Sequence, residues 1–195
     1  RIDEALYRTE RILESMLSST KIEEGRLELH LESVDIVSVL RNSIFAIEKE
    51  AKEKGLQIVL DIQMNELEVY TDKVRTQEIV DNFLTNAVKY TSKGEVRISV
   101  EQLPTEARIT VSDTGVGMSE QDIKRLGEKF FRAEQEERED DLVKPGGTGL
   151  GLYIAFNLIA LLGGSVSIES EKGKGSSFSF TLPLYTGQPQ KDVKN

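Results

Sequence analysis

Val80-Asp81-Asn82-Phe83-Leu84-Thr85-Asn86-Ala87-Val88-Lys89-Tyr90 carries two faces in eleven letters. At a helical period Asn82, Asn86, Lys89 and Tyr90 fall at i, i+4, i+7 and i+8, on one stripe. Val80, Phe83, Leu84 and Ala87 fall on the other side, suited to packing on a sheet. Asn is a poor residue for a helix interior because its amide competes for backbone hydrogen bonds. Two of them one turn apart therefore need a reason. Asp72, just upstream, can cap this helix, which the pattern carries to about Tyr90.

The surroundings predict the rest of the fold. Ser33 or Asp35 can cap an earlier helix, 36–54, with Val37, Leu40, Ile44, Ile47 and Ala51 on one face and Gly55 as its stop. Residues 26–34 read as a short extended piece. Leu56, Ile58, Leu60 and Ile62 alternate with polar or exposed positions as a half-buried strand, and 69–71 is a second short strand. Two strands, 95–101 and 106–112, alternate at period two and join through Pro104. Ser119 and Asp122 form a capping box for a short helix to about Gly127. A long helix, 150–162, ends at Gly163-Gly164, and strands 165–169 and 176–183 close the chain. The expected fold class is α+β: a two-layer α/β sandwich whose mixed, mostly antiparallel sheet carries three helices on one face.

Ahead of it, Ile2, Leu6, Thr9, Leu13, Met16 and Thr20 make a heptad-like stripe. One amphipathic helix cannot hide such a stripe and is marginal alone. It packs either on the main domain or in a bundle with partners elsewhere, and the turn at Glu23-Glu24-Gly25 favours the bundle.

Composition removes whole classes of chemistry. With no cysteine there are no disulfides, thiolate metal sites or cysteine nucleophiles. A single histidine, His30, excludes multi-histidine metal sites. The net charge of −9 argues against a nucleic-acid surface. No apolar run approaches the ~20 residues of a membrane span, so no membrane contact is expected of this stretch. The first residue is Arg1, not Met, which points to a piece of a longer protein.

Three places can carry chemistry. On the paired-Asn stripe, amide oxygens suit a hard cation such as Mg²⁺, which takes few protein ligands when phosphates supply the others. Lys89 could meet a phosphate and Tyr90 a base; the alternative is a solvated polar face. Asp113-Thr114-Gly115-Val116-Gly117 puts a carboxylate at a strand end beside backbone that a ligand can approach closely. An adenine amino group is a natural donor to it, and a capped tight turn is the alternative. Gly147-Thr148-Gly149-Leu150-Gly151-Leu152 runs straight into the long helix. Free N–H groups and the positive helix end there suit phosphate, or the glycines hinge a cover formed by the charged segment 132–147. The spacing matches neither the dinucleotide fingerprint nor the P-loop.

The ordered set resembles the sensor histidine kinases. Gln77 to Thr91 resembles their N box, Asp113 to Gly117 the G1 box, Lys129-Phe130-Phe131-Arg132 the F box, and Gly147 to Leu152 the G2 box. The resemblance implies the Bergerat-type ATP-binding fold shared with Hsp90, gyrase B and MutL, with ATP and Mg²⁺ as cofactors. It implies that Asn86, with Asn82, binds the metal; that Lys89 contacts phosphate and Tyr90 flanks the adenine; and that Asp113 accepts from the adenine amino group in a pocket shaped by Gly115 and Gly117. It implies that Arg132 points to the phosphates and that Gly147, Thr148, Gly149, Leu150 and Gly151 wrap the triphosphate beneath a lid, 132–147. Phe130 and Phe131 anchor the lid or dock it on the bundle, or one of them is a plain core aromatic.

The family's acceptor is a His followed by an acidic residue and a Pro on the first bundle helix, and nothing here matches it. His30 reads as a surface residue, and Leu162 stands where a His is usual, without expected effect. The catalytic acceptor and its general base are thus expected outside this chain, so it should not phosphorylate itself. The implied layout is a second bundle helix at 1–24, a linker at 25–34, an ATP-binding catalytic domain at 35–184 and a flexible tail at 185–195. Implied partners are the protein's own dimerisation bundle, as a homodimer, and a response-regulator receiver domain, in the cytoplasm, with the parent's membrane attachment open. The rival readings are an ATPase or protein-serine kinase of the same superfamily, disfavoured because Asn82 stands where the ATPase branch usually has a glutamate base, and a nucleotide-binding pseudokinase module.

Overall fold

The computed structural model describes residues 13, 15–132 and 148–187. A helix at 15–23 (α1) precedes β1 (Glu32–Asp35), α2 (Ile36–Glu53), β2 (Gln57–Asp61), β3 (Glu68–Thr71) and α3 (Lys73–Tyr90). β4 (Glu95–Gln102), β5 (Glu106–Asp113), α4 (Glu120–Arg125), α5 (Gly151–Leu161), β6 (Val166–Glu171) and β7 (Gly175–Pro183) follow.

The local signals act as their chemistry requires. Asp35 caps α2, its carboxylate accepting from Val37 N and Ser38 N at 3.1 Å each, and also from Leu67 N at 3.0 Å. Asp72 caps α3 through Arg75 N and also accepts from His30 N at 2.9 Å, so it ties the extended piece to the helix start. Ser119 and Asp122 form the expected reciprocal box. α4 stops at Arg125, two residues short of the expected glycine, because Leu126 is already extended.

The main sheet has the order β2-β4-β5-β7-β6. Only β2 and β4 run parallel; every other neighbour is antiparallel. Register lines up an apolar layer across it: Leu60, Ile98, Val111, Phe178 and Ile168. The neighbouring row on the opposite face is polar: Asp61, Ser99, Thr110, Ser179 and Ser167. Period-two alternation thus assigns one face to the core and the other to water. β1 and β3 form a separate two-stranded antiparallel ribbon, linked to the chain end by the Val69–Leu184 bridge.

The helices bury their apolar stripes on that one face. Ile79, Val80, Phe83, Leu84 and Val88 of α3 and Ile154, Ala155, Leu158 and Ile159 of α5 are all but inaccessible. Phe83 is the hub, with Phe178, Phe180 and Phe156 rings at 5.4, 5.7 and 6.4 Å. Leu162 is buried at the C-cap of α5. The fold past Leu184 includes Tyr185, whose N–H bonds Glu68 O at 3.0 Å while its ring stacks on Tyr70.

The end of α1 lies against this body. Ser19 is 2% exposed and Ile22 packs on the core, whereas Leu13, Met16 and Leu17 face outward. The helix therefore divides its apolar residues between the domain and open solvent. The stripe from Ile2 to Ile12, most of the 132–147 segment and the tail from 188 fall outside the described residues. Among the described residues no helix is long and apolar enough to cross a membrane.

Candidate functional site

α3 connects everything the sequence singled out. Its first two turns are held in place: Asp72 caps the start, and Gln77 bonds both Ser43 of α2 and Asp81 of its own helix. Its apolar side is committed to the sheet, so Asn82, Asn86, Lys89 and Tyr90 emerge together at the half-buried margin, as helical spacing predicts.

Their amides are used differently. Asn82 Nδ2 donates to Glu78 O at 2.8 Å, one turn back, and its Oδ1 faces the start of α5. A Cβ added to Gly151 would lie 2.5 Å from that oxygen. The Asn86 carboxamide, one turn on, makes no hydrogen bond among the described residues. Lys89 Nζ donates to Tyr90 Oη at 3.1 Å and lies 4.7 Å from the Tyr90 ring centre.

The Asp113 loop closes on the end of α3. Asp113 ends β5, opposite Val96 on one side and Ser176 on the other. Its Oδ1 accepts from Gly115 N at 2.8 Å. Burial pushes the Asp113 carboxyl above the ordinary aspartate value, against the pull of the Gly115 and Ser176 N–H groups. Val116 N bonds Tyr90 O at 3.2 Å, and an added Cβ at Gly115 would overlap that same carbonyl. Only glycine lets the loop lie so close to the helix end. Gly117, at φ 61°, turns the loop toward β6, where Met118 N bonds Ser170 Oγ.

At the other end of the stripe, Thr148 Oγ1 accepts from Leu150 N at 3.2 Å, and Leu150 itself is buried. α5 starts at Gly151 with neither a side-chain cap nor an acidic residue in its first turn. Among the described residues no side-chain cap answers its leading N–H groups, which carry partial positive charge. Gly149 O takes the Phe130 N–H at 3.1 Å, which joins the F-box segment to this turn.

The aromatic pair corrects one expectation. Neither ring is in the core: Phe130 is 59% exposed at φ 62°, and Phe131 is half-buried with Arg125 4.2 Å above its ring. Arg132 is exposed, Gly147 lies outside the described residues, and His30 is exposed as expected. Three neighbours were not legible beforehand. Thr91 is fully buried and bonds Ala87 O, Gly175 packs on the Asp113 backbone, and Lys54 reaches the end of α3. Thr91 closes the N-box stretch with no role that spacing assigns to it, and nothing nearby marks Gly175 or Lys54, because each acts on a distant or backbone partner.

Comparison with known proteins agrees with this geometry. Residues 71–186 match the family described as "Histidine kinase-, DNA gyrase B-, and HSP90-like ATPase". Hybrid signal transduction histidine kinase B of Dictyostelium discoideum is 33% identical over 178 residues, which is 88% of this chain and 9% of that protein. Sensor protein GacS of Pseudomonas syringae pv. syringae is 33% identical over 187 residues, 93% of this chain and 20% of that protein. The crystal structure of full-length ShkA in complex with AMPPNP superposes with a TM-score of 0.75 at 31% identity, covering 87% of this chain and 34% of that one. The chain thus spans a fifth or less of these two sequence relatives. With its fold, its ordered glycine loops and its matched span, the chain belongs to the family of histidine kinase-, DNA gyrase B- and HSP90-like ATPases, and its relatives are sensor histidine kinases.

Proposed function

We propose that this chain is the ATP-binding catalytic portion of a sensor histidine kinase, and that it presents the γ-phosphate of ATP·Mg²⁺ to a histidine on a dimerisation helix outside residues 1–195. One observation carries the reading. The single stripe on α3 meets the α5 start at Asn82 and the Asp113 loop at Tyr90, and leaves the Asn86 amide unengaged among the described residues between them.

The residues suit the nucleotide and its metal. Among the described residues no three His, Asp or Glu side chains gather as a metal site. A Mg²⁺ ion here would be one that keeps water and phosphate ligands and takes an amide oxygen from the protein, which Asn86 would supply. Asn82, already bonded through Nδ2, would add its Oδ1 or orient the turn around it. Asp113 would accept from the adenine amino group, within the pocket bounded by Gly115 and Gly117, with Tyr90 alongside. Lys89 and Arg132 would face the phosphates, and the backbone from Gly147 to Gly151 would bind them at the uncapped start of α5.

When bound, the nucleotide supplies the transferable phosphoryl group, and the metal neutralises charge on it. The chain's own part is positioning and electrostatic complementarity, which is most of what phosphoryl transfer asks of a protein. Residues 1–24 would be the second helix of the bundle, 25–34 the linker and 35–184 the catalytic domain, ahead of a tail. The intact protein would act as a homodimer in the cytoplasm and pass the phosphoryl group to a response-regulator receiver domain.

Calorimetric titration of the purified chain with a non-hydrolysable ATP analogue tests this. Saturable one-to-one binding that weakens when Mg²⁺ is removed is the expected result. Absence of binding overturns the proposal. Supplying a bundle with an acceptor histidine should then yield acid-labile phosphohistidine from ATP, whereas the chain alone should yield none.

A further inference from the structure

We propose that Lys54 is a positioning residue for the nucleotide site: its ammonium clamps the last turn of α3 from the neighbouring helix and so sets the direction of Lys89 and Tyr90. The functional part of this rests on the nucleotide-binding reading above; the structural part does not.

A helix leaves its last four carbonyls without intrahelical donors. In α3 these belong to Ala87, Val88, Lys89 and Tyr90, since Thr91 is already extended. Each has found a donor from outside the helical ladder. Thr91 Oγ1 serves Ala87 O at 2.7 Å, and Val116 N serves Tyr90 O at 3.2 Å. The two between, Val88 O and Lys89 O, are both served by Lys54 Nζ, at 2.7 and 3.2 Å.

Lys54 comes from an unrelated part of the chain. It is the C-cap of α2, and Gly55 follows at φ 70° to send the chain into β2. The pairing of Ser43 with Gln77 and of Lys54 with Val88 shows that α2 and α3 run side by side in the same direction. Their C-terminal ends, each with partial negative charge, therefore lie together. A cation between them answers both the charge and the open carbonyls. A basic residue in the last turn commonly serves its own helix end. Here Lys54 occupies those carbonyls, so Lys89 is turned instead to the Tyr90 side, where its Nζ meets Tyr90 Oη. The Coulombic repulsion between Lys54 and Lys89 pushes in the same direction.

The test compares Lys54→Met, of similar length but without a donor, with Lys54→Arg, which keeps the charge and the donors. Hydrogen exchange of the nucleotide-free chain is read at the amides of Val88, Lys89 and Tyr90 against those of Ile79 and Val80 in the same helix. The expected result for Lys54→Met is at least tenfold faster exchange in the last turn, with the Ile79 and Val80 rates within threefold of wild type. Affinity for a non-hydrolysable ATP analogue with Mg²⁺ should fall five- to twentyfold, and Lys54→Arg should recover most of both changes. A loss of general stability alone would instead raise exchange at all five amides together, and that would overturn the proposal. So would a Lys54→Met protein with wild-type exchange at 88–90, or one that binds the analogue within twofold of wild type. Should Lys54→Met not fold, Lys54→Leu, which likewise has no donor, is read in the same way. If the wild-type chain itself takes up no analogue, the nucleotide-binding reading fails, while the exchange comparison still decides whether Lys54 holds the turn.

Discussion

Tyr153 donates its phenolic hydrogen to the carboxylate of Glu23 at 3.0 Å, across 130 residues of sequence. Lys129 completes the junction, paired with Glu23 and 5.5 Å from the Tyr153 ring centre. One carboxylate at the end of α1 thereby touches both the segment beside Phe130 and the first turn of α5. The helix that precedes the domain and the turn proposed to hold phosphate are thus mechanically connected.

This junction should depend on pH. The hydrogen bonds from Lys129 and Tyr153 hold the Glu23 carboxyl below its ordinary value. A carboxylate whose value is lower when docked favours the docked state at pH above its ordinary value and loses that contribution as pH falls through the lowered one. Protection of residues 19–23 against hydrogen exchange, taken relative to the intrinsic rate at each pH, should accordingly fall in mild acid below about pH 4.5, and Glu23→Gln should show the lower protection already at pH 7. Equal exchange in the variant and the wild type at neutral pH would mean that the contact holds nothing.

Acid should weaken nucleotide binding through Asp113. Its carboxyl is raised by burial, so protonation begins at a higher pH than for an exposed aspartate. For the empty protein the sign is the reverse of Glu23: the contribution of a raised group is present at low pH and lost as pH rises through its folded value. For a ligand that donates to the carboxylate, protonation removes the acceptor, so affinity should fall on acidification before exposed aspartates titrate. Asp113→Ala removes a hydrogen bond to a charged group, worth about 1.5–3 kcal/mol, or roughly 10- to 150-fold in affinity. Titration of the analogue between pH 4 and 8 into both proteins would reveal a flat wild-type profile or an unchanged variant if the assignment is wrong.

Two glycines should differ in what they tolerate. A methyl at Gly115 meets the Tyr90 backbone, which is held by Val116, while a methyl at Gly151 meets only the Asn82 side-chain tip. Gly115→Ala should therefore cost about 1–3 kcal/mol of stability, the range for forced overpacking, and Gly151→Ala clearly less. Both should weaken analogue binding, Gly151→Ala by displacing the Asn82 amide. Denaturant unfolding of the two variants side by side measures the difference, and equal losses would contradict the backbone-against-side-chain argument.

Phe83 should be the most sensitive core position on α3. It is 1% exposed and lies against three other aromatic rings. Phe83→Ala should cost about 3–5 kcal/mol, and the loss should reach the site, because the neighbouring Asn82 shares its turn. A drop below about 1 kcal/mol in chemical denaturation would mean that the helix-to-sheet packing closes over the cavity.

What could be read directly was local. The α3 stripe, the Asp35 and Asp72 caps, the Ser119 box and the alternation of β4 and β5 each depend on residues within a turn or a strand of one another, so spacing alone expressed them. The ordered loops at Asp113 and Gly149 marked where a ligand could approach, and in combination they marked the family. Pairing could not be read this way. That β2 lies parallel to β4, that Glu23 meets Tyr153, that Gly115 lies against the Tyr90 carbonyl and that Lys54 closes the end of α3 are contacts between segments with no periodic relation. The exposed Phe130 and the buried Thr91 belong to the same class, since a side chain's burial is set by what the rest of the chain brings over it. The sequence by itself determined which faces were apolar and which backbone was free to approach a ligand. The tertiary structure alone decided which distant donors answer which carbonyls, because those bonds exist only once the chain has closed on itself.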